Sequence, residues 1–346
     1  MLILHIMASS AQGGAETYST DVMLSLHKAG IAQIVAMAPD APRRGELEKA
    51  GLRVVTWPFK ARFAPLQKLL MRVLIRREKP DIVHCWMRRA AFLAGSWQGS
   101  PLGLGAPRVI GWFGGYYDVS KFQNCAHLVG VTKDIVRHMV KHGVHETRAH
   151  FIPTFPDVAT QPPIDRATLA TPRDAKVLLA LSRLHPKKGL DTLLQALVKM
   201  PEAIAWLAGD GPLKRDLENS ARKLGVIDRV RFLGWRTDRA ALLRAADICV
   251  LPSRYEPFGT VILEAWAAGT PLVACASAGP AATVEDGVTG ILVPIDDADG
   301  LATAMRKVLA DEGLRRRLVA QGYAAYIKDY TREAVTHQWV RFYKAL

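Results

Sequence analysis

Asp247-Ile248-Cys249-Val250-Leu251-Pro252-Ser253-Arg254-Tyr255-Glu256-Pro257-Phe258-Gly259-Thr260-Val261-Ile262-Leu263-Glu264-Ala265-Trp266-Ala267-Ala268-Gly269-Thr270-Pro271-Leu272-Val273-Ala274-Cys275 is the stretch on which the fold turns. An apolar run of strand length (247–251), a turn rich in proline and charge, a helix candidate (259–268) and a second apolar run (271–275) make one strand–helix–strand unit. The same alternation extends in both directions. Around it, strands are expected at 176–182, 204–208, 229–233 and 290–293, with helices at 190–199, 213–224, 238–244 and 300–309. Upstream, strands are expected at 2–8, 33–37, 53–57, 81–85, 108–112 and 127–132, with helices at 15–28, 66–78, 88–97 and 133–141. Strand and helix taking turns over the whole chain predict an α/β protein with parallel sheets covered on both faces.

The alternation breaks once, at Ile152-Pro153-Thr154-Phe155-Pro156 and Gln161-Pro162-Pro163. Proline at that density continues neither helix nor central strand, so it marks a linker. Two doubly wound, Rossmann-like domains follow, 1–165 and 166–330, with a cleft expected where the carboxyl ends of their strands face. In the tail, 331–346, Val335, Trp339, Phe342 and Tyr343 recur at near-helical spacing, which predicts a closing helix packed back on the first domain. The run 265–284 is uncharged, but Gly269, Pro271, Gly279 and Pro280 break it into a helix end, a short strand and a loop rather than a membrane span.

A chain of 346 residues with 49% hydrophobic and 23% charged residues is neither disordered nor a coiled-coil rod. Residues 1–8 carry no charged leader and read as a buried first strand, not a signal peptide. Four scattered cysteines without metal or redox spacing read as buried thiols of a cytoplasmic protein. Lys and Arg number 46 against 32 Asp and Glu, a formal charge of +14 that calls for an anionic partner.

Four segments could carry chemistry. Gly13-Gly14-Ala15-Glu16 follows the first strand and opens a helix, so a backbone could approach an anion there; a plain tight turn fits the local sequence equally well. The full dinucleotide glycine pattern is absent, which disfavours a dehydrogenase. In Arg183-Leu184-His185-Pro186-Lys187-Lys188-Gly189, a planar fork and a compact charge, Arg183 and Lys188, suit a diphosphate. Gly209-Asp210-Gly211-Pro212 reads as a turn shaping a wall. The run from Glu256 to Glu264 is the most informative. Glu256 precedes a proline and lies in extended or loop geometry. Phe258, Gly259, Thr260 and Val261 begin a helix whose first amides can hold phosphate. Glu264 falls just over one turn into that helix, so one acid can face a sugar ring while the other faces a ribose diol.

Taken together, these four segments in this order resemble the retaining glycosyltransferases of family 4, which have the GT-B fold, and the resemblance covers nearly the whole chain. It implies transfer of a sugar, a hexose here, from a nucleotide-sugar to an acceptor hydroxyl with retained configuration, with neither metal nor other cofactor. Carried across, it implies that Arg183 and Lys188 bind the donor diphosphate, Glu256 the donor sugar and Glu264 the ribose hydroxyls. The amides of Phe258, Gly259 and Thr260 hold sugar or phosphate, and Gly14 borders the diphosphate. Charge building on the leaving diphosphate is stabilised by two cations and helix amides without magnesium. The chain departs from the family twice. Where many members have a histidine after the strand at 108–112, Phe113-Gly114-Gly115-Tyr116-Tyr117-Asp118 stands; Trp112 and Tyr116 could stack on an acceptor sugar, ordinary aromatic packing fits them equally, and Asp118 is a candidate substitute acid. Pro153 is followed by Thr154-Phe155 in place of an Asn-Gly pair. The 112–118 segment is similar to that of enzymes building lipopolysaccharide core, which points to a lipid-linked or oligosaccharide acceptor. The remaining histidines form no ligand set, and His138 and His142 read as surface residues.

The charge is concentrated in residues 51–100, with ten basic and two acidic residues. Lys60, Arg62, Lys68, Arg72, Arg76, Arg77 and Lys79 interleave with Phe59, Phe63, Leu66, Leu69 and Leu70. That is a pattern for an anionic membrane surface, here the inner face of the cytoplasmic membrane, and equally for a solvated basic face. A nucleic-acid-binding protein is disfavoured, since no such module is present and the paired glutamates would repel a phosphate backbone. A nucleotide-sugar isomerase of the same architecture would differ by needing no acceptor.

Overall fold

The computed structural model describes residues 1–9, 14–57, 64–94, 107–156 and 161–346. They form two compact units, Met1–Thr154 with Arg332–Leu346, and Phe155–Thr331. The division falls at 154/155, inside the first proline cluster, where the sequence reading put it at 165/166. Gly13, Phe59, Lys60, Arg62 and Phe63 lie outside the described residues.

The first unit is built on β1 (Leu2–Met7), β2 (Ala32–Met37), β3 (Arg53–Thr56), β4 (Ile82–Trp86), β5 (Arg108–Phe113), β6 (His127–Gly130) and β7 (Ala149–Phe151). These strands are all parallel, in the order β3-β2-β1-β4-β5-β6-β7. Strand β7 has no counterpart among the expected strands, because its three half-buried residues Ala-His-Phe make no apolar run. The helices are α1 (Gly14–Lys28), α2 (Arg44–Lys49), α3 (Ala64–Glu78), α4 (Met87–Ala94) and α5 (Lys133–Lys141). Thr132 fixes the start of α5 by accepting the Ile135 amide at 3.0 Å.

The centre of this sheet is aromatic. His5 of β1 lies opposite His84 of β4, and both are fully buried. Trp86 donates to His5 Nδ1 at 3.2 Å, and His84 Nδ1 lies 2.7 Å from the Tyr343 hydroxyl. The chain's last helix, Arg332–Ala345, delivers Tyr343 and also Trp339, whose indole donates to the Tyr18 hydroxyl at 3.2 Å. Tyr18 in turn donates to the Pro153 carbonyl at 3.0 Å. This helix thus belongs to the first unit because its buried Val335, Trp339 and Tyr343 complete that core.

The second unit has β8 (Lys176–Leu181), β9 (Ala203–Ala208), β10 (Val230–Gly234), β11 (Ile248–Leu251), β12 (Leu272–Cys275) and β13 (Ile291–Val293). They too are all parallel, in the order β10-β9-β8-β11-β12-β13. Around them lie α6 (Leu190–Val198), α7 (Lys214–Lys223), α8 (Arg239–Ala245), α9 (Thr260–Ala268), α10 (Ala278–Thr283), α11 (Ala298–Ala310) and α12 (Glu312–Ala325). Leu190, Leu193, Leu194 and Leu197 of α6 recur at helical spacing and are all buried in the core. Helix α10 stands where the sequence reading placed a loop: Pro280 sits in its first turn, where no intrahelical amide is required. In each sheet the strand order reverses once, between β1 and β4 and between β8 and β11, and such switch points open a crevice at the strand carboxyl ends.

Burial pushes the pKa of His5 down to about 3, against a smaller opposing effect of Gln33. Burial, reinforced by His5, also holds His84 well below the usual histidine value. Both rings stay neutral in the fold, while the unfolded chain takes up protons below about pH 6.5. Their contribution is therefore complete above that pH and is lost as the pH falls, at roughly 1.4 kcal/mol per ring per pH unit. Urea unfolding of the first unit is expected to show this loss between about pH 7.5 and about pH 5.5, and His84→Gln to remove about half of these two rings' share. A slope unchanged by the substitution would contradict the assignment.

Candidate active site

Strands β8 and β11 are hydrogen-bonded neighbours, with Leu178 opposite Ile248 and Leu179 opposite Cys249. The loops that follow them therefore leave the sheet side by side, and they touch through backbone. Gly189 has φ +60°, and a Cβ there would lie 2.0 Å from the Pro252 carbonyl oxygen. The Tyr255 amide donates to the Lys187 carbonyl at 3.1 Å. Arg254 laces the two loops further. Its guanidinium donates to the Pro186 carbonyl at 3.0 Å, to both Asp191 oxygens at 2.8 and 2.6 Å, and to Asp296 at 2.6 Å. Hydrogen bonding from Arg254 holds the Asp191 carboxyl below the usual carboxylate range.

That lacing delivers Lys188. It ends a single 3₁₀ turn, Pro186–Lys188, capped by His185, whose ring accepts the Lys187 amide at 3.2 Å. Lys188 Nζ donates to Glu256 Oε2 at 2.5 Å, with the two side chains only 22% and 14% exposed. Glu256 is fixed through its backbone, since its carbonyl accepts the Gly279 amide at 2.7 Å. A Cβ at Gly279 would lie 2.5 Å from that same carbonyl oxygen and 2.7 Å from the Phe258 amide nitrogen. Arg183, in contrast, is exposed and makes no ion pair among the described residues. A fixed, neutralised cation and a projecting one thus come from a single loop.

Helix α9 opens at Gly259, φ +88°, with no side chain capping it. The amides of its first turn, beginning at Thr260, follow the buried Phe258 and point out of the helix end. Glu264, one turn on, is 7% exposed and pairs with Arg239 at 2.6 Å. Ser182, Ser253 and Ser277, just past β8, β11 and β12, bury hydroxyls that meet no hydrogen-bond partner among the described residues, a condition rare in folded proteins. The Gly209–Gly211 turn is a wall: Cβ atoms there would strike the carbonyls of Ser182 and Leu184 at 1.9 and 2.4 Å. No three His, Cys, Asp or Glu side chains gather as a metal site among the described residues.

The structure thus brings Arg183, Lys188, Glu256, Phe258, Gly259, Thr260 and Glu264 to the switch-point end of one sheet. Gly14 belongs to the first unit, where it begins α1 with open space around its Cα. Trp112 is 3% exposed and stacks on Tyr18 with ring centroids 5.7 Å apart, so it serves the aromatic core and has no face free for a sugar. Tyr116 and Asp118 do reach an open pocket of about 520 Å³ in the first unit, together with Tyr117, His138, His142 and Arg148. His138 packs edge-on against Tyr116 and so lines a cavity where the sequence reading made it surface. Arg254, Arg239, Asp296, Gly279 and the three serines were not singled out from sequence. Arg254 lay inside the quoted run, but its acidic partners stand 63 residues before it and 42 residues after it, and no local spacing reveals those pairings.

A doubly wound unit with acids, cations and helix amides at its switch point, in a chain with a second doubly wound unit, is the architecture of the GT-B fold. Comparison with known proteins agrees. Residues 12–160 match the family described as Glycosyltransferase Family 4, and residues 162–325 that described as Glycosyl transferases group 1. The chain is 34% identical to the lipopolysaccharide core biosynthesis glycosyltransferase LpsE of Rhizobium meliloti over 95% of both chains. It is 31% identical to LpsD of the same organism over 98% of this chain and 97% of that one. Among solved structures, Anabaena HepE in complex with UDP superposes over all of both chains with a TM-score of 0.85 at 22% identity. The lipopolysaccharide outer core galactosyltransferase WaaB does so with a TM-score of 0.81 at 17% identity. The chain belongs to glycosyltransferase family 4: it is a retaining glycosyltransferase of GT-B fold that uses a nucleotide-sugar donor.

Gly189→Ala adds a left-handed alanine and a Cβ in collision with the Pro252 carbonyl. It should lower stability by roughly 2–4 kcal/mol in urea unfolding, and it should depress activity by parting the loops. Gly14→Ala, with nothing within 4 Å of its Cβ, is the control and should fold normally. Wild-type stability for Gly189→Ala would show that the two loops do not meet.

Proposed function

We propose that the enzyme moves a hexose from its nucleotide-sugar donor to a hydroxyl of a lipid-linked or oligosaccharide acceptor in lipopolysaccharide core or related cell-envelope glycan synthesis, working at the cytoplasmic face of the membrane. The observation that carries this reading is the partly buried Lys188–Glu256 pair beside Arg183 at the β8/β11 crevice. Full-length similarity to two lipopolysaccharide core enzymes supports the acceptor class.

In this reading Arg183 and Lys188 take the donor diphosphate, the first as a fork, the second as a point charge. Lys188 then divides its three donors between phosphate and Glu256, which orients the acid toward the sugar hydroxyls. Glu264, held by Arg239, takes the ribose hydroxyls, and the amides of Phe258, Gly259 and Thr260 at the mouth of α9 add their dipoles to the phosphate. As the sugar–oxygen bond breaks, negative charge accumulates on the departing diphosphate, and these preorganised donors stabilise it more than they stabilise the ground state. Such catalysis needs neither metal nor cofactor. On the acceptor side, Tyr116 and Asp118 offer an aromatic face and a carboxylate at a pocket wide enough for a sugar ring.

Arg183→Ala, Lys188→Ala and Glu256→Ala should each lower transfer by about two to three orders of magnitude, equivalent to about 3–4 kcal/mol of transition-state stabilisation. Thermal unfolding without nucleotide should stay near the wild-type midpoint. A thermal-shift series with UDP, GDP and ADP and their hexose conjugates identifies the donor, because a selective ligand raises apparent stability. Near-normal turnover in all three variants would sink the site assignment, and products formed from the donor alone would turn the reading toward an isomerase.

A further inference from the structure

Helix α3 is apolar on two faces. Gln67, Met71, Leu74 and Ile75 lie on the buried face. Leu66, Leu69, Leu70 and Val73 recur at helical spacing on the other and are 49, 56, 40 and 53% exposed. Phe92 of α4 extends this outward stripe, itself 44% exposed, with the Lys68 ammonium 4.0 Å above its ring. Scattered exposed apolar residues are ordinary; five large ones on two neighbouring helices are a surface that something covers.

The surroundings of the stripe say what. Residues 64–94 carry seven basic side chains, Lys68, Arg72, Arg76, Arg77, Lys79, Arg88 and Arg89, against two acids. One acid, Glu78, is only 6% exposed and is held by Arg53 and Arg77. A second copy of the chain is a poor occupant, because a two-fold contact would bring the same cations face to face. A nucleic acid would answer the charge and leave the leucines in water. An apolar stripe rimmed by cations matches a bilayer with anionic headgroups, where leucines enter the acyl boundary and Lys and Arg reach up to the headgroups.

We infer that the α3/α4 face is a membrane-docking surface that inserts Leu66, Leu69, Leu70, Val73 and Phe92 into an anionic bilayer, so that binding depends on apolar insertion as well as charge. Its purpose rests on the lipid-linked acceptor proposed above; its observation does not. The surface belongs to the first unit, whereas Arg183, Lys188, Glu256 and Glu264 belong to the second, so donor recognition and membrane binding can fail separately.

The test is flotation of the full chain with vesicles of equal parts phosphatidylglycerol and phosphatidylcholine, against phosphatidylcholine alone. Recovery is expected on the anionic vesicles, with only partial release at high salt, since screening weakens the charges and leaves the apolar part. The pair Leu69→Ser, Val73→Ser should lower vesicle partition by on the order of tenfold. Lys79→Gln with Arg88→Gln should lower it on anionic vesicles only. Both pairs should keep the wild-type thermal midpoint and nucleotide-induced shift, because the altered side chains face water. Equal recovery on both vesicle types, complete release by salt, or unchanged partition of the serine pair would each overturn the inference. So would a dimer in sedimentation that the serine pair converts to monomer, since the stripe would then cover a second copy.

Discussion

Backbone lying directly on backbone at Gly189 and Pro252 is the constraint from which the arrangement of the β8/β11 crevice follows. Adjacent parallel strands bring the loops after β8 and β11 out at the same edge, but adjacency alone leaves them free to splay. Removing the side chain at 189 lets them meet, and Lys188, one residue earlier, is carried onto Glu256. The lysine reaches the acid because the main chain leaves it little choice, and the ordering entropy of a long side chain is correspondingly reduced. Gly279 does the same from below, where its bare Cα lets α10 approach the backbone of Glu256 and Phe258.

The ion pairs around this contact are instruments of position more than of stability. A partly buried lysine–glutamate pair gives up hydration that its attraction only about restores, and the Arg254 cluster, half open to solvent, is screened. What Arg254 adds is geometry: it bonds a carbonyl of one loop and two carboxylates beyond it, so movement of either loop strains several hydrogen bonds together. Arg239 holds Glu264 in the same manner, presenting an acid at a place where a lone buried carboxylate would be costly.

The legibility of all this in the sequence follows the range of the interactions. Strands of the second unit are mainly apolar runs of three to six residues between breakers, and all six stand where the sequence puts them. Strand β7 and helices α2, α10 and α12 are not expected, since they are too short, too mixed in composition or begun by proline and glycine. Arg183, Lys188, Glu256 and Glu264 sit in contiguous motifs and can be found there. Arg239 and Asp296 matter only because folding brings them to partners far along the chain. Trp112 shows the opposite hazard: from sequence its ring suits a sugar platform and ordinary packing alike, and the fold commits it to Tyr18 and Trp86. Residue type fixes what a ring can do, and only packing decides which of those things it does.

The same distinction explains the large net charge. In the second unit, cations are matched with acids at Arg166–Asp247, Lys188–Glu256, Arg236–Asp238, Arg239–Glu264 and Arg254–Asp191. Helices α3 and α4 set six basic residues against one acidic residue. A protein that bound nucleic acid through a general positive field would have no reason to neutralise one unit so thoroughly while placing its excess around exposed leucines. The charge is therefore uneven, largely paired in the second unit and unbalanced on α3 and α4. A single-residue charge change in the second unit removes one partner of a defined contact, whereas on α3 it alters one part among many of an unbalanced face, and the two leave different signatures in salt.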